Sequence, residues 1–235
     1  MTPNWVQIYE AARRSRMAYE MDPVVSESLF SSTGLHWLGL FNDNDNQAVA
    51  CIDNHGTGYL SISGTRISQG KIWDLVDDAW ILPKDLGNGM HVTSGAFSGM
   101  QEVWDWANSL VTPSTVWNVE GHSLGAWRTR YTPFFLPPSR IGNLHSFESP
   151  KGANRAYWQH YKQQLCKMVS IVNGRDVFVN WPFGITEWEH PLLSILWLKA
   201  HGFAEIFPYQ YPMGVSIADH NISLVESRCK VLAGV

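Results

Sequence analysis

Apolar residues recur at helical spacing through Trp5, Ile8, Tyr9 and Ala12, and less regularly at Met17 and Tyr19, which predicts an N-terminal helix over residues 5–20. Three short apolar runs follow, Leu35–Phe41, Ala48–Ile52 and Gly58–Ile62. Asn/Asp/Gly-rich punctuation at Asn42–Asn46 and Asp53–Gly56 separates them, the pattern of an antiparallel meander. Helical spacing returns over Gly95–Leu110 through Phe97, Val103, Trp104 and Ala107. Thr115–Val119 reads as a strand, interrupted at once by Gly121-His122-Ser123-Leu124-Gly125. Beyond it the pattern predicts a helix, a short apolar piece ending at Phe147, a helix around Asn154–Lys167, and a strand at Val169–Val172 before the turn Asn173-Gly174-Arg175-Asp176. A last helical pattern runs through Ile222, Val225 and Leu232. From residue 115 strands and helices alternate, which argues an α/β protein with a parallel sheet built from βαβ units. No repeat, linker or low-complexity tract breaks the chain, so one domain over residues 1–235 is expected.

Composition narrows the functional classes. A chain of 235 residues can bury a sizeable core without disulfides or a structural metal. Charged residues make up 16%, below the usual ~25%, and the net charge of -4 gives no electrostatic footprint for nucleic acid. A sparsely charged surface leaves contact with apolar partners open, including a membrane or micelle surface met peripherally. Cys51, Cys166 and Cys229 are odd in number and form no C-x-x-C pair, so free thiols in a reducing compartment are the simpler reading. The N-terminus lacks the basic-then-apolar order of a signal peptide, and Pro191–Leu198 is too short to span a bilayer. A cytoplasmic location is the expectation.

Gly121-x-Ser123-x-Gly125 matches the nucleophile elbow, in which a serine sits on a sharp strand-to-helix turn and side chains two residues to either side would collide with the sheet or helix. By chance, a chain with 19 glycines yields about 0.1 such matches, so placement between a strand and a helix carries the weight. A serine hydroxyl is a poor nucleophile without a base, and the base needs an orienting carboxylate. The elbow's chain order is Ser, then Asp or Glu, then His. Asp176 and Asp219 are the aspartates after Ser123. Asp176 follows a strand at the end where ligand sites form in open α/β sheets, whereas Asp219 adjoins His220 and diverges from it. Three histidines follow Asp176. His220, at a loop-to-helix junction, ranks first as base; His190, only 14 positions beyond Asp176, ranks second; and His201 lies in an aromatic stretch suited to packing.

These motifs come in a familiar succession. Ser61-Ile62-Ser63-Gly64-Thr65, His91-x-x-x-Gly95-x-Phe97, Gly121-His122-Ser123-Leu124-Gly125, Phe147-x-Ser149-Pro150 and Asn173-x-x-Asp176 stand at spacings that resemble the class 3 lipase family, from about residue 48 to 182 and again at His220. The resemblance implies an α/β-hydrolase fold with Ser123, Asp176 and His220 as triad. It also implies an oxyanion hole at Thr65 and the backbone N–H of Leu124. No cofactor or metal is implied, and the substrate is an ester or lipid. His122, Trp127 and Trp181 stand as candidate substrate contacts.

The chain also departs from that pattern. Ala126-Trp127-Arg128-Thr129-Arg130 puts bulky residues where the family has small ones, and Pro133 is expected to kink the helix. Glu148 replaces a small residue after Phe147 and is either a surface residue or a member of the site. The family's lid falls at Arg66–Trp73, short and mostly polar, which favours dispersed esters over aggregated fat. The expected function is carboxylic ester hydrolysis through an acyl-enzyme. The rivals are an inactive binding protein whose pocket Trp127 or Glu148 blocks, and an acyltransferase using the same triad.

Other features have plainer readings. Asn42–Asn46 lacks the glycine and closing Glu of a calcium loop and reads as a hairpin turn. Gly87-Asn88-Gly89 opens no strand–helix unit, and Asp74, Asp77 and Asp78 read as a solvated helix face. No zinc-ligand cluster is present, and His91 reads as a fold-supporting residue. The aromatic stretch Trp181–Tyr211 divides evenly between an acyl-binding or membrane-facing wall and core packing.

Overall fold

The computed structural model describes residues 2–43, 46–65, 81–200, 203–207 and 211–235. Helix α1 (Trp5–Met17) forms where helical spacing places it; the Asn4 side chain caps it by accepting the Gln7 N–H. A second helix, α2 (Pro23–Ser31), has no counterpart in the periodicity because it buries only Ser26 and Phe30. Its signal lies in the start: Asp22 accepts the N–H groups of Val24 and Val25, and Pro23 fills the first helical position. Strands β1 (His36–Asp43), β2 (Asn46–Ile52) and β3 (Gly58–Ile62) then form the expected antiparallel meander, with Asp43 opposite Asn46 across the hairpin.

A small antiparallel ribbon, β4 (Pro83–Asp85) with β5 (His91–Thr93), leads into α3 (Ser94–Phe97) and α4 (Met100–Ser109), so the helix expected over 95–110 is two helices broken at Ser98-Gly99. The rest of the sheet is β6 (Trp117–His122), β7 (Ile141–Phe147), β8 (Met168–Asn173), β9 (Ile195–Lys199) and β10 (Phe203–Phe207). Among the described residues the order is β1-β2-β3-β6-β7-β8-β9-β10. The run from β3 to β9 is parallel, and both margins are antiparallel. This is the α/β-hydrolase arrangement, with antiparallel N-terminal strands.

Helices cover both faces. On one, α1 and the C-terminal α9 (Ile222–Ala233) pack Ile8, Ala11, Ala12, Val225 and Cys229 against Phe147, Ile171, Leu196 and Leu198. Arg16 and Glu226 pair between these two helices. On the other, α4, α5 (Leu124–Thr129) and α7 (Arg155–His160) close the larger core around Leu60, Ile62, Val119 and Leu144. Helix α8 (Lys162–Leu165) is a short continuation of α7. The expected kink at Pro133 is instead a break: α5 ends at Thr129, and Pro133 lies in the first turn of a new helix, α6 (Thr132–Phe135). Proline lacks the N–H that a helix interior needs but that a first turn does not.

The stretch 181–211 splits between its two readings. Trp181 and Trp188 are buried, and Trp197 packs edge-on against Phe207, while Phe203 on the margin strand is exposed. The lid segment Arg66–Trp73, the aspartates 74, 77 and 78, His201 and Tyr209 lie outside the described residues. No helix among the described residues is long and apolar enough to cross a membrane.

Candidate active site

Ser123 is the hinge between β6 and α5, with φ 59° and ψ -121°. A non-glycine residue there stores of order 1–3 kcal/mol of strain and persists only when its surroundings impose it. They do. The Ser123 N–H donates to the Phe147 carbonyl at 3.0 Å, and the Trp127 N–H donates to the Ser123 carbonyl at 3.0 Å. A Cβ on Gly121 would strike the backbone of Gly125, and one on Gly125 would strike that of Ile62, so strand and helix close on each other only because both positions are bare.

Asp176 arrives from the loop after β8, where its N–H donates to the Asn173 carbonyl and its Oδ1 accepts the Phe178 N–H at 2.9 Å. The segment before α9 docks onto this loop. Val215 and Ser216 donate their N–H groups to the Arg175 carbonyl, and Val177 donates back to Ser216. Asp219 secures the junction by accepting the Arg175 N–H through its side chain and the Asn173 amide through its carbonyl. The docking carries His220 inward, its side chain 4% exposed. Its Nδ1 lies 2.9 Å from Asp176 Oδ2 and its Nε2 2.8 Å from Ser123 Oγ. A carboxylate at Nδ1 fixes the tautomer: Nδ1–H donates to Asp176, and Nε2 accepts from the serine hydroxyl.

His190, ranked second as base, serves elsewhere. Its Nδ1 accepts from Arg130 at 2.9 Å and its Nε2 donates to the Val179 carbonyl at 2.6 Å, while its ring stacks on Tyr211 at 3.5 Å. Burial, reinforced by Arg130, holds it well below the ordinary histidine range. Arg130 itself turns inward, donating to Ser146, the Pro150 carbonyl and Tyr211, which is how a bulky residue after the elbow finds room.

Thr65 stands just past β3 with its hydroxyl buried and unpartnered. The chain before it runs close to the elbow, since a Cβ on Gly64 would lie 3.1 Å from that of Ser123. Leu124 opens α5, where the first N–H groups have no intrahelical partner.

The three anticipated substrate contacts face inward. Trp127 and Trp181 are 3% and 7% exposed and meet edge-to-face at 5.3 Å within the larger core, so they offer a ligand almost no surface. His122 has both ring nitrogens engaged: Nδ1 meets Tyr19 Oη at 2.7 Å and Nε2 meets Glu148 Oε2 at 2.8 Å. These side chains pack the site from behind.

Glu148 belongs to the site. It has no exposed surface, adopts φ 56°, and places Oε2 4.0 Å from His220 Nδ1. Burial, then the nearby Asp176 and Asp219, pushes its carboxyl well above the ordinary range. Burial, with His220 close by, pushes His122 well below its ordinary value. Among the described residues, His122, Glu148 and His220 are the one His/Cys/Asp/Glu group compact enough for an ion, with ligand atoms within 4.8 Å of one another. Their facing atoms are already joined to each other and to Tyr19 and Asp176, so this is a hydrogen-bond network. Nothing local in the sequence tied Tyr19 or His122 to Glu148.

No protein-family description matches the chain, and no curated protein sequence does either. Solved structures do match. A lipase from Rhizopus microsporus var. chinensis is 19% identical over 94% of this chain and 88% of its own, with a TM-score of 0.69. A triacylglyceride lipase from Rhizomucor miehei is 16% identical over 94% of both chains, with a TM-score of 0.70. Lipase II from Rhizopus niveus is 16% identical over 92% of this chain and 93% of its own, at 0.66. These neighbours are fungal class 3 lipases of the α/β-hydrolase superfamily, and at such identities what the likeness shows is the shared fold.

Proposed function

We propose that the protein hydrolyses carboxylic esters, including lipid esters, through an acyl-enzyme on Ser123. The observation that carries the proposal is the unbroken chain Ser123 Oγ, His220 Nε2, His220 Nδ1, Asp176 Oδ2, with links of 2.8 and 2.9 Å, set on a strained turn. Ser123 Oγ attacks the ester carbonyl carbon as its proton passes to His220 Nε2. Asp176 keeps the ring in the tautomer that can accept that proton and stabilises the imidazolium. The tetrahedral oxygen gains a negative charge, for which the unpartnered Thr65 hydroxyl and the Leu124 N–H are the donors. His220 then protonates the departing alkoxide, and water repeats the sequence to free the acid and restore Ser123.

Trp127, whose bulk counted toward an inactive binding protein, packs beside Trp181 in the core, and Glu148 lies behind His220. Lipase neighbours of the same fold favour an ester or lipid substrate. The test is labelling by a fluorophosphonate probe: the unaltered protein should be modified and Ser123→Ala should not. Equal labelling of both, or of neither, refutes the proposal. A panel of nitrophenyl esters then sets the chain length, with short-to-medium acyl groups preferred and no jump in rate above the micelle threshold.

A further inference from the structure

The Ser123–His220–Asp176 chain leaves one buried group of the site unused. Glu148 is held at φ 56° by a hydrogen bond from its N–H to the Ile171 carbonyl at 2.8 Å, and strain of this kind collects at functional positions. Its Oε2 is 2.8 Å from His122 Nε2 and 4.0 Å from His220 Nδ1, the same nitrogen that meets Asp176 at 2.9 Å. Carboxylates from the ends of two neighbouring strands thus converge on one imidazole N–H. We propose that Glu148 is a second carboxylate seat for the Nδ1–H of His220, held in reserve behind Asp176 and taking its place when Asp176 is lost. It rests on the reading of His220 as general base, and within it Glu148 is a positioning residue.

The charges around Glu148 explain the ranking. Asp176 and Asp219 face it from the loops, Arg228 and Cys229 from α9, His122 from β6, and Tyr19 through His122. Two buried carboxylates beside one imidazole repel each other, and Asp176 is the one within hydrogen-bond distance of Nδ1, so it takes the seat. Tyr19 donates to His122 Nδ1, and His122 Nε2–H donates to Glu148, which keeps that carboxyl oriented. With Asp176 gone its repulsion ends, leaving burial and Asp219 against a charge on Glu148 and the His220 imidazolium formed in turnover in its favour. Closing from 4.0 Å to hydrogen-bond distance needs a shift of about 1 Å.

The test compares wild type, Asp176→Ala, Glu148→Gln and the double variant on an activated ester. Where one carboxylate serves the base, its loss lowers kcat by roughly 10⁴-fold. Here Asp176→Ala is expected to stay within about 10²-fold of wild type, with Glu148→Gln removing about 10²-fold more in that background and under tenfold alone. Loss of the full 10⁴-fold in Asp176→Ala, with Glu148→Gln adding the same factor in both backgrounds, overturns the proposal. The His220 imidazole midpoint, followed by ring-proton NMR in the same four proteins, needs no turnover. Glu148→Gln should move it only when Asp176 is absent, and equal shifts overturn the idea. A protein that neither turns over nor labels would refute ester hydrolysis while NMR still decides Glu148. Should Glu148→Gln not fold, Asp176→Ala decides alone: activity within about 10²-fold of wild type supports the proposal, and loss of the full 10⁴-fold overturns it.

Discussion

Glu120, near the end of β6, and Glu148, just past β7, are both without exposed surface, yet they keep different company. Glu120 accepts from Arg14 Nε at 2.7 Å and Nη2 at 3.3 Å, and from the Ser61 hydroxyl at 2.6 Å, so its charge is neutralised and its oxygens are occupied. Its cross-strand partner His145 is buried with neither ring nitrogen bonded. Glu148 reverses the arrangement. Its histidine is fully bonded, while the carboxyl faces Asp176 and Asp219, whose repulsion outweighs the pull of Arg228. A buried charge with a guanidinium partner holds two elements together; one left facing another acid on a strained residue is placed for chemistry.

The contrast can be broken most forcefully at Arg14. Arg14→Met leaves Glu120 buried and uncompensated, which is expected to lower stability by about 3–5 kcal/mol in urea unfolding. Turnover per folded molecule should remain close to wild type, since neither Arg14 nor Glu120 bonds Ser123, Asp176 or His220. A loss below about 1 kcal/mol would mean that the pair is not what pins α1 to β6.

Unpartnered polar atoms sharpen the same contrast. The bare nitrogens of His145 stand across from Glu120, whereas Thr65, its hydroxyl also unpartnered, follows Gly64, where the chain runs close to the elbow. Thr65→Ala is expected to lower kcat by about 10²–10³-fold, or ~2.7–4 kcal/mol of transition-state stabilisation, with KM little changed. Thr65→Ser should restore most of it by returning a hydroxyl. Equal activity of the Ala and Ser variants would assign the oxyanion to backbone donors alone.

Ser123, Asp176 and His220 were readable from the chain because each carries a local mark: a glycine-flanked serine between strand and helix, an acid just after a strand and turn, a histidine opening a helix. Chain order left three histidines, and placement at a loop-to-helix junction ranked His220 first among them. Glu148 could not be assigned, because a carboxylate after a strand is surface or site according to what the neighbouring strands bring beside it, here Asp176 from β8. Tyr19 and His122 were less readable still, separated by 103 positions and joined only after α1 docks on the sheet. The same limit applied to β9 and β10, whose aromatic run shows no clean alternation. For α2 the mark was present at Asp22-Pro23 and lay in the cap instead of the periodicity.

The smallest expected effect concerns pH, and it gives the two regions opposite signs. Burial, with Arg14 next, pushes His145 down to about 3, against about 6.5 when unfolded. The unfolded chain therefore takes up a proton that the native chain refuses, so stability is lost as pH falls below 6.5. Glu148 is raised in the fold, so the native chain keeps a proton that the unfolded chain sheds near 4.3, and stability is lost as pH rises from there. Each group contributes a slope of at most about 1.4 kcal/mol per pH unit between roughly 4.5 and 6.5. Urea unfolding across that window should show Glu148→Gln gaining on wild type as pH rises, and His145→Gln gaining as pH falls. The other buried histidines, His122 and His190, cancel when each variant is referred to wild type. Parallel slopes in the two variants would erase the distinction between a carboxylate that anchors and one that is held ready for His220.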